Sequence, residues 1–288
     1  MKTQPNFSPK KHLGQRFLID PQVTAKIISA CQLKPEDTVL EIGPGSGVLT
    51  RWIAPRVKRV IAVETDQRFF EKLKEETLKT NIEVIHADFL KYDLGLLQSV
   101  KKLKVIGNLP YYISSPIITR LLNARQYFSS IFITVQLEFG RRLGAKVDTK
   151  DYSALSCFVQ YCADVKMLFK IKGAAFKPVP KVDSCFMRII PHEKFPFIDL
   201  CTTTTNIGKE KVSKANDEEL LFKIIQQAFQ QRRKTLPNTL SGLIERERLY
   251  PILESLKIDP KSRPENLSVK DFVELANNVL PALKPVPR

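Results

Sequence analysis

The stretch that most constrains this chain is Thr38-Val-Leu-Glu-Ile42, a largely apolar, β-branched run that breaks into Gly43-Pro-Gly-Ser-Gly47. Such a run predicts a strand, and glycines at alternate positions permit a tight turn that a ligand can approach closely. A helical stretch from Val48 to about Pro55 follows. The alternation then recurs. Val60–Val63, Ile82–Ile85, Lys104–Ile106 and Ile131–Leu137 read as strands, while Gln67–Lys79, Ile117–Leu122 and Ser153–Val159 carry helical spacing. Val165–Lys170 and Cys185–Ile190 read as a late antiparallel pair. This order predicts a doubly wound, mainly parallel α/β sheet, which binds ligands at the carboxyl ends of its strands.

After Pro191 the texture changes. Glu193–Asn216, with Thr202–Thr205 and a stretch rich in Lys, Asn and Ser, reads as a linker or solvated insertion. Asp217–Arg288 carries three or four short amphipathic helices and no strand pattern. Leu220, Leu221, Ile224, Ile225, Ala228 and Phe229 form one apolar stripe, and Phe272, Leu275 and Val279 another. Two domains are expected, residues 1–191 and residues 192–288, the second a small all-helical cap.

Composition excludes several classes. No run approaches the roughly 18 uncharged apolar residues of a membrane-spanning helix, and no apolar segment follows the polar first fourteen residues to mark a signal peptide. Five scattered cysteines without a Cys-x-x-Cys pair, and three histidines far apart, argue against a metal centre or disulfide framework and fit a reducing cytoplasm. What remains is a charge of +16, from 46 Lys and Arg against 30 Asp and Glu. An excess of that size suits a polyanionic partner, although solubility alone also accounts for it.

The glycine turn is informative through its neighbours. Glu64 ends the second strand, 21 residues beyond Gly43, where a carboxylate can chelate two ribose hydroxyls. The spacing of Gly43, Gly45 and Gly47 is G-x-G-x-G, not the dinucleotide pattern, and suits a nucleoside ligand without a pyrophosphate, such as S-adenosylmethionine. Asp88, ending the third strand, can accept from an adenine amine, although both acids are also ordinary helix caps. Asn108-Leu-Pro-Tyr111 follows the fourth strand. The side-chain carbonyl of Asn108 and the backbone carbonyl of Leu109 can each accept one hydrogen of an exocyclic base amine, turning its lone pair toward a methyl sulfonium. Tyr111 can stack on an unstacked base. Positioning then replaces general-base catalysis.

With these residues in view, the chain resembles the rRNA adenine N6,N6-dimethyltransferase family along nearly its whole length. The resemblance rests on Leu13-Gly-Gln-Arg-Phe-Leu18, Glu41–Thr50, Glu64, Asp88, Asn108–Tyr111, Phe176-Lys-Pro-Val-Pro-Lys-Val-Asp-Ser184 and Ala228-Phe-Gln-Gln-Arg-Arg-Lys-Thr-Leu236. The last two segments are most similar to the small-subunit branch of the family. That branch dimethylates two adjacent adenosines in the loop of the last hairpin of small-subunit rRNA and acts late in subunit assembly. The resemblance implies a Rossmann-like class I methyltransferase sheet. It places S-adenosylmethionine against Arg16, Leu18, Gly43, Gly45, Glu64, Asp88 and Asn108. The target adenine falls to Asn108, Leu109, Pro110 and Tyr111, with Phe176 stacking on its other face. Three departures stand out: Arg16 where Asn is usual, Leu137 where Lys is usual, and the Thr-rich insertion near Thr202.

The expected partner is small-subunit rRNA within a pre-30S particle, met by a monomer with no membrane or metal involved. Arg232, Arg233 and Lys234 form one candidate phosphate-binding cluster, although basic residues also suit a helix C-terminus. Residues 1–30, with five basic residues against one acidic, form another candidate as a mobile arm that includes Lys10 and Lys11. Two alternatives stay open: a large-subunit methyltransferase of the macrolide-resistance type, and a non-catalytic RNA-binding factor on the same fold. The intact Glu64, Asp88 and Asn108–Tyr111 weigh against the second.

Overall fold

The computed structural model describes residues 14–98, 102–192, 204–207, 210–213 and 215–283. The chain forms two compact units: Met1–Gly140 with Val165–Lys194, and Arg141–Asp164 with Phe195–Arg288.

The first unit is built on a seven-stranded sheet. Its strands are β1 (Thr38–Ile42), β2 (Arg59–Glu64), β3 (Ile82–His86), β4 (Leu103–Asn108), β5 (Phe128–Gln136), β6 (Ala163–Ile171) and β7 (Ser184–Pro191). The order is β3-β2-β1-β4-β5-β7-β6, parallel from β3 to β5, with β7 antiparallel to β5. Strands covered on both faces need continuous apolar runs, and four of the five residues of β1 are fully buried. Helices α1 (Pro21–Ala30), α2 (Val48–Ile53), α3 (Gln67–Glu76), α4 (Ser114–Asn123) and α5 (Leu137–Leu143) complete the alternation. Caps fix where they begin. Asp20 accepts from the N–H groups of Gln22 (2.8 Å) and Val23 (3.2 Å) ahead of Pro21, and Asp66 accepts from Arg68 N (3.2 Å) at α3. Gly140 lets α5 lie against β7, since a Cβ there would run into Cys185 Sγ.

The segment Gly14–Ala30 corrects the expectation of a mobile arm over residues 1–30. Phe17–Leu18 pairs antiparallel with Phe176–Lys177, and α1 buries Ile27 and Ile28 in the core of the first unit. Burial of that apolar face outweighs the entropy of a free arm. Lys10 and Lys11 lie outside the described residues.

In the second unit, both predicted apolar stripes enter one core. Leu220, Leu221, Ile224, Ile225 and Ala228 of α7 (Glu218–Phe229) join Phe272, Leu275 and Val279 of α10 (Val269–Leu283). Helices α8 (Leu236–Leu240) and α9 (Arg246–Ser255) lie between them in sequence. Two features depart from the sequence reading. The units are not divided by one cut after Pro191, because α6 (Ala154–Cys162) and the loop before it contribute Cys157 and Tyr152 to the second core. The Tyr152 hydroxyl donates to Leu267 O at 3.0 Å, and Asn266 Nδ2 to Asp148 Oδ1 at 2.6 Å. The supposed linker also holds a hairpin, Thr204–Ile207 paired antiparallel with Glu210–Ser213. Its β-branched Thr204, Thr205, Ile207 and Val212 favour extended backbone in spite of the polar residues around them. No helix among the described residues is long and apolar enough to cross a membrane.

Candidate active site

Strand register gathers the site. Ile42 pairs with Val63 and Gly107, Glu64 with His86, and Asn108 with Thr134. The carboxyl ends of β1 to β4 therefore stop at one edge, and the residues just beyond them wall a single cleft. Arg16, Leu18, Gly43, Gly45, Glu64, Asp88, Asn108, Leu109 and Pro110 all line it, as the sequence reading proposed for a shared site.

The turn after β1 requires its glycines. Gly43, Gly45 and Gly47 take φ values of 64°, 54° and 75°, in the left-handed region where a side chain is strained. This path aims Gly45 N at Glu64 Oε2 (2.8 Å), while Asp66 N donates to Glu64 Oε1 (2.8 Å). Each carboxylate oxygen thus accepts one backbone N–H and keeps lone-pair capacity for a ligand. Burial raises the Glu64 pKa, and the two backbone N–H groups oppose it. Asp66 is itself buried, held by Arg68 Nη2 (2.7 Å) and Gln15 Nε2 (3.0 Å), so the Gly14–Leu18 segment is fastened to the acidic end of the cleft.

Asp88 is exposed. One oxygen, Oδ1, accepts from Leu90 N at 2.9 Å, which leaves Oδ2 for a ligand. Asn108 Nδ2 donates to Arg16 O at 2.7 Å. A carbonyl can only accept, so this bond fixes the amide orientation and leaves Oδ1 as an acceptor without a partner among the described residues. The Leu109 peptide is set by its N–H on Thr134 O (3.1 Å), and Pro110 O accepts from Ile113 N (3.2 Å) and Ser114 Oγ (3.0 Å). Arg16 Nη1 donates to Pro178 O at 3.2 Å, linking the cleft to the Phe176–Ser184 segment.

Two aromatic residues are placed differently from their expected roles. Tyr111 is half-buried, bonded through its hydroxyl to Ser184 Oγ (2.7 Å), and is not among the cleft walls; burial raises its pKa. Phe176 is 1% exposed, with its ring in the core beside Leu18 and Phe186. Its two faces are covered by protein, where a large apolar ring is most favourable, so none is presented to a base. The basic cluster also divides. Arg232 Nη2 binds Glu265 Oε2 (2.9 Å) and Nη1 donates to Lys150 O (3.1 Å), which ties the turn after α7 to the rest of the second unit. Arg233 and Lys234 stay exposed.

Glu41 was missed by the sequence reading. It lies in β1, 1% exposed, at the floor of the cleft. Burial pushes its carboxyl up to about 7, the neighbouring Thr50 hydroxyl pulls the other way, and Oε2 has no hydrogen-bond partner among the described residues. A signal was present: an acid inside an apolar strand buried on both faces is seldom there for packing. Tyr112 was missed too, and it walls the cleft while Tyr111 does not.

Known proteins resemble this chain in sequence and in fold. Residues 6–280 match the family pattern described as ribosomal RNA adenine dimethylase. A ribosomal RNA small subunit methyltransferase A from Clostridium acetobutylicum is 38% identical over 277 residues, 95% of either chain. Among solved structures, a dimethyladenosine transferase from Plasmodium falciparum aligns with a TM-score of 0.72 at 27% identity, over 90% of this chain and 95% of that one. The 23S rRNA methyltransferase ErmE aligns with a TM-score of 0.65, also at 27% identity, over 91% and 98%. This chain therefore belongs to the ribosomal RNA adenine dimethylase family, and is an rRNA methyltransferase that depends on S-adenosylmethionine.

Proposed function

We propose that the protein methylates the exocyclic N6 of two adjacent adenosines in the loop of the 3′-terminal hairpin of small-subunit rRNA. It acts as a cytoplasmic monomer on a pre-30S particle, late in subunit assembly. The observation that carries the chemistry is the Asn108 amide, whose N–H on Arg16 O leaves Oδ1 aimed away from that bond as an acceptor. Together with Leu109 O, it can take both hydrogens of an adenine amine.

The cleft fits the cofactor at several points. The Glu64 carboxylate has capacity for two ribose hydroxyls, and Asp88 Oδ2 for an adenine amine. The orphaned Glu41 carboxyl matches the methionine ammonium, and Arg16 the carboxylate at the same end. When bound, S-adenosylmethionine supplies an electrophilic methyl on a sulfonium. The chain's own contribution is to desolvate and orient the amine, so that its lone pair is drawn out of conjugation with the ring and toward the methyl. The cationic amine formed by transfer loses a proton readily, so no general base is demanded.

The small-subunit reading is favoured by the higher identity to the small-subunit relative than to ErmE. The large-subunit reading draws on the shared fold alone. Labelled cofactor and ribosomal subunits from cells lacking this protein test the choice. Label at two adjacent adenosines near the 3′ end of small-subunit rRNA is expected. Label on large-subunit rRNA would favour the resistance type, and no transfer a non-catalytic RNA-binding role.

A further inference from the structure

Two tyrosines follow Asn108-Leu-Pro, and they are treated differently by the fold. Tyr111 turns inward to Ser184, whereas Tyr112 is 59% exposed at the cleft mouth. The exposure of Tyr112 is braced. A Cβ built on Gly14 would lie 3.0 Å from its Cδ1 and 3.1 Å from its Cε1, and Pro110 Cβ lies 3.8 Å from the same point. Gly14, at φ 58°, is thus the residue that leaves room for the ring. One side of the ring rests on the Gly14 backbone and the rest meets solvent, four residues beyond the Asn108 amide.

We infer that Tyr112 is a stacking platform for the base next to the one being methylated, a positioning residue and not a catalytic one. The inference rests on the proposed rRNA substrate. When one of two adjacent adenosines occupies the amine-binding corner at Asn108, the other remains at the mouth, unstacked from its helix. An aromatic face there recovers the lost stacking without reading sequence, since every base offers a π-face.

The test uses the full-length protein as wild type, Tyr112→Phe, Tyr112→Leu and Tyr112→Ala. Substrates are small subunits lacking the methyl marks, and an RNA copy of the terminal hairpin with 2-aminopurine beside the target adenosine. Tyr112→Ala is expected to raise KM for subunits about ten-fold and to abolish quenching of the 2-aminopurine. Its kcat and cofactor affinity should stay near wild type. Tyr112→Phe should behave as wild type, and Tyr112→Leu, which keeps apolar bulk without a π-face, as Ala. Wild-type KM in the Ala variant, or a Phe variant as impaired as Ala, overturns the inference while the substrate reading survives. If the wild type transfers no methyl to rRNA, that reading fails and the platform with it.

Discussion

The cleft of the first unit and the basic cluster of the second were both read from short motifs, yet the fold treats them in opposite ways. In the cleft, backbone geometry brings the motif residues together. Three glycines with positive φ deliver Gly45 N to Glu64, and a strand end delivers Asn108 to Arg16 O. In Arg232-Arg-Lys234 the same charge on adjacent residues hides two roles. Arg232 is consumed by Glu265 and Lys150, while Arg233 and Lys234 face solvent. A turn motif encodes direction, whereas a run of like charges does not encode which member faces inward.

That contrast can be broken experimentally, most sharply at Asn108. Asn108→Ala should lower single-turnover methyl transfer about 10²–10³-fold with near-normal cofactor affinity, the scale for loss of one preorganised group at a reacting centre. Full activity in this variant would refute amine orientation.

Glu41 gives the next largest effect. Its folded pKa of about 7 stands above the ordinary 4.5, so the protein without ligand holds the proton more tightly than the unfolded chain. Stability of that form should therefore be fully present below pH 4.5 and fall as pH rises toward 7, with the raised pKa of Glu64 adding in the same sense. Affinity for the cationic cofactor should run the other way, rising about ten-fold per pH unit until Glu41 ionises near pH 7. Calorimetric titration across that range would show it, and Glu41→Gln should flatten the curve. An unchanged slope in the variant would remove Glu41 from the ammonium site.

The second unit should respond more weakly. Arg232→Ala is expected to cost about 1–2 kcal/mol in thermal or urea unfolding, through an exposed ion pair and one hydrogen bond to a carbonyl. Neutralising Arg233 and Lys234 together should leave the melting temperature unchanged. It should reduce the slope of log affinity for rRNA against log salt by about 1.5, near 0.7–0.9 per lost phosphate contact. If Arg232→Ala alone moves the salt slope and not the melt, the division of the cluster is wrong.

Much of the fold was legible. Thr38–Ile42 is the strand its β-branched run predicts, and the alternation down to β7 yields the expected mainly parallel sheet. The hairpin at Thr204–Ser213 was not, since four β-branched residues among polar ones give no periodicity to count. Within the site, Gly43, Glu64, Asp88 and Asn108 could be grouped beforehand because each ends or closely follows a parallel strand, and parallel strand ends share an edge. Glu41 escaped because a single acid in an apolar strand has no periodic partner. Phe176 and Tyr111 were expected to stack on the base and Tyr112 was passed over, because aromatic residues serve cores and rims alike and the sequence does not state which neighbours cover them.

By itself, then, the sequence determined what depends on short-range geometry: the strand–turn–helix unit at Glu41–Val48, the helix caps, and the shared sheet edge of Glu64, Asp88 and Asn108. Only the tertiary structure decided what depends on distant neighbours. It placed Phe176 in the core and Tyr112 at the mouth, tied Arg232 to Glu265, and joined residues 141–164 to the C-terminal helices. The physical reason is that backbone conformation is set within a few residues, whereas burial is set by surfaces brought together from far along the chain.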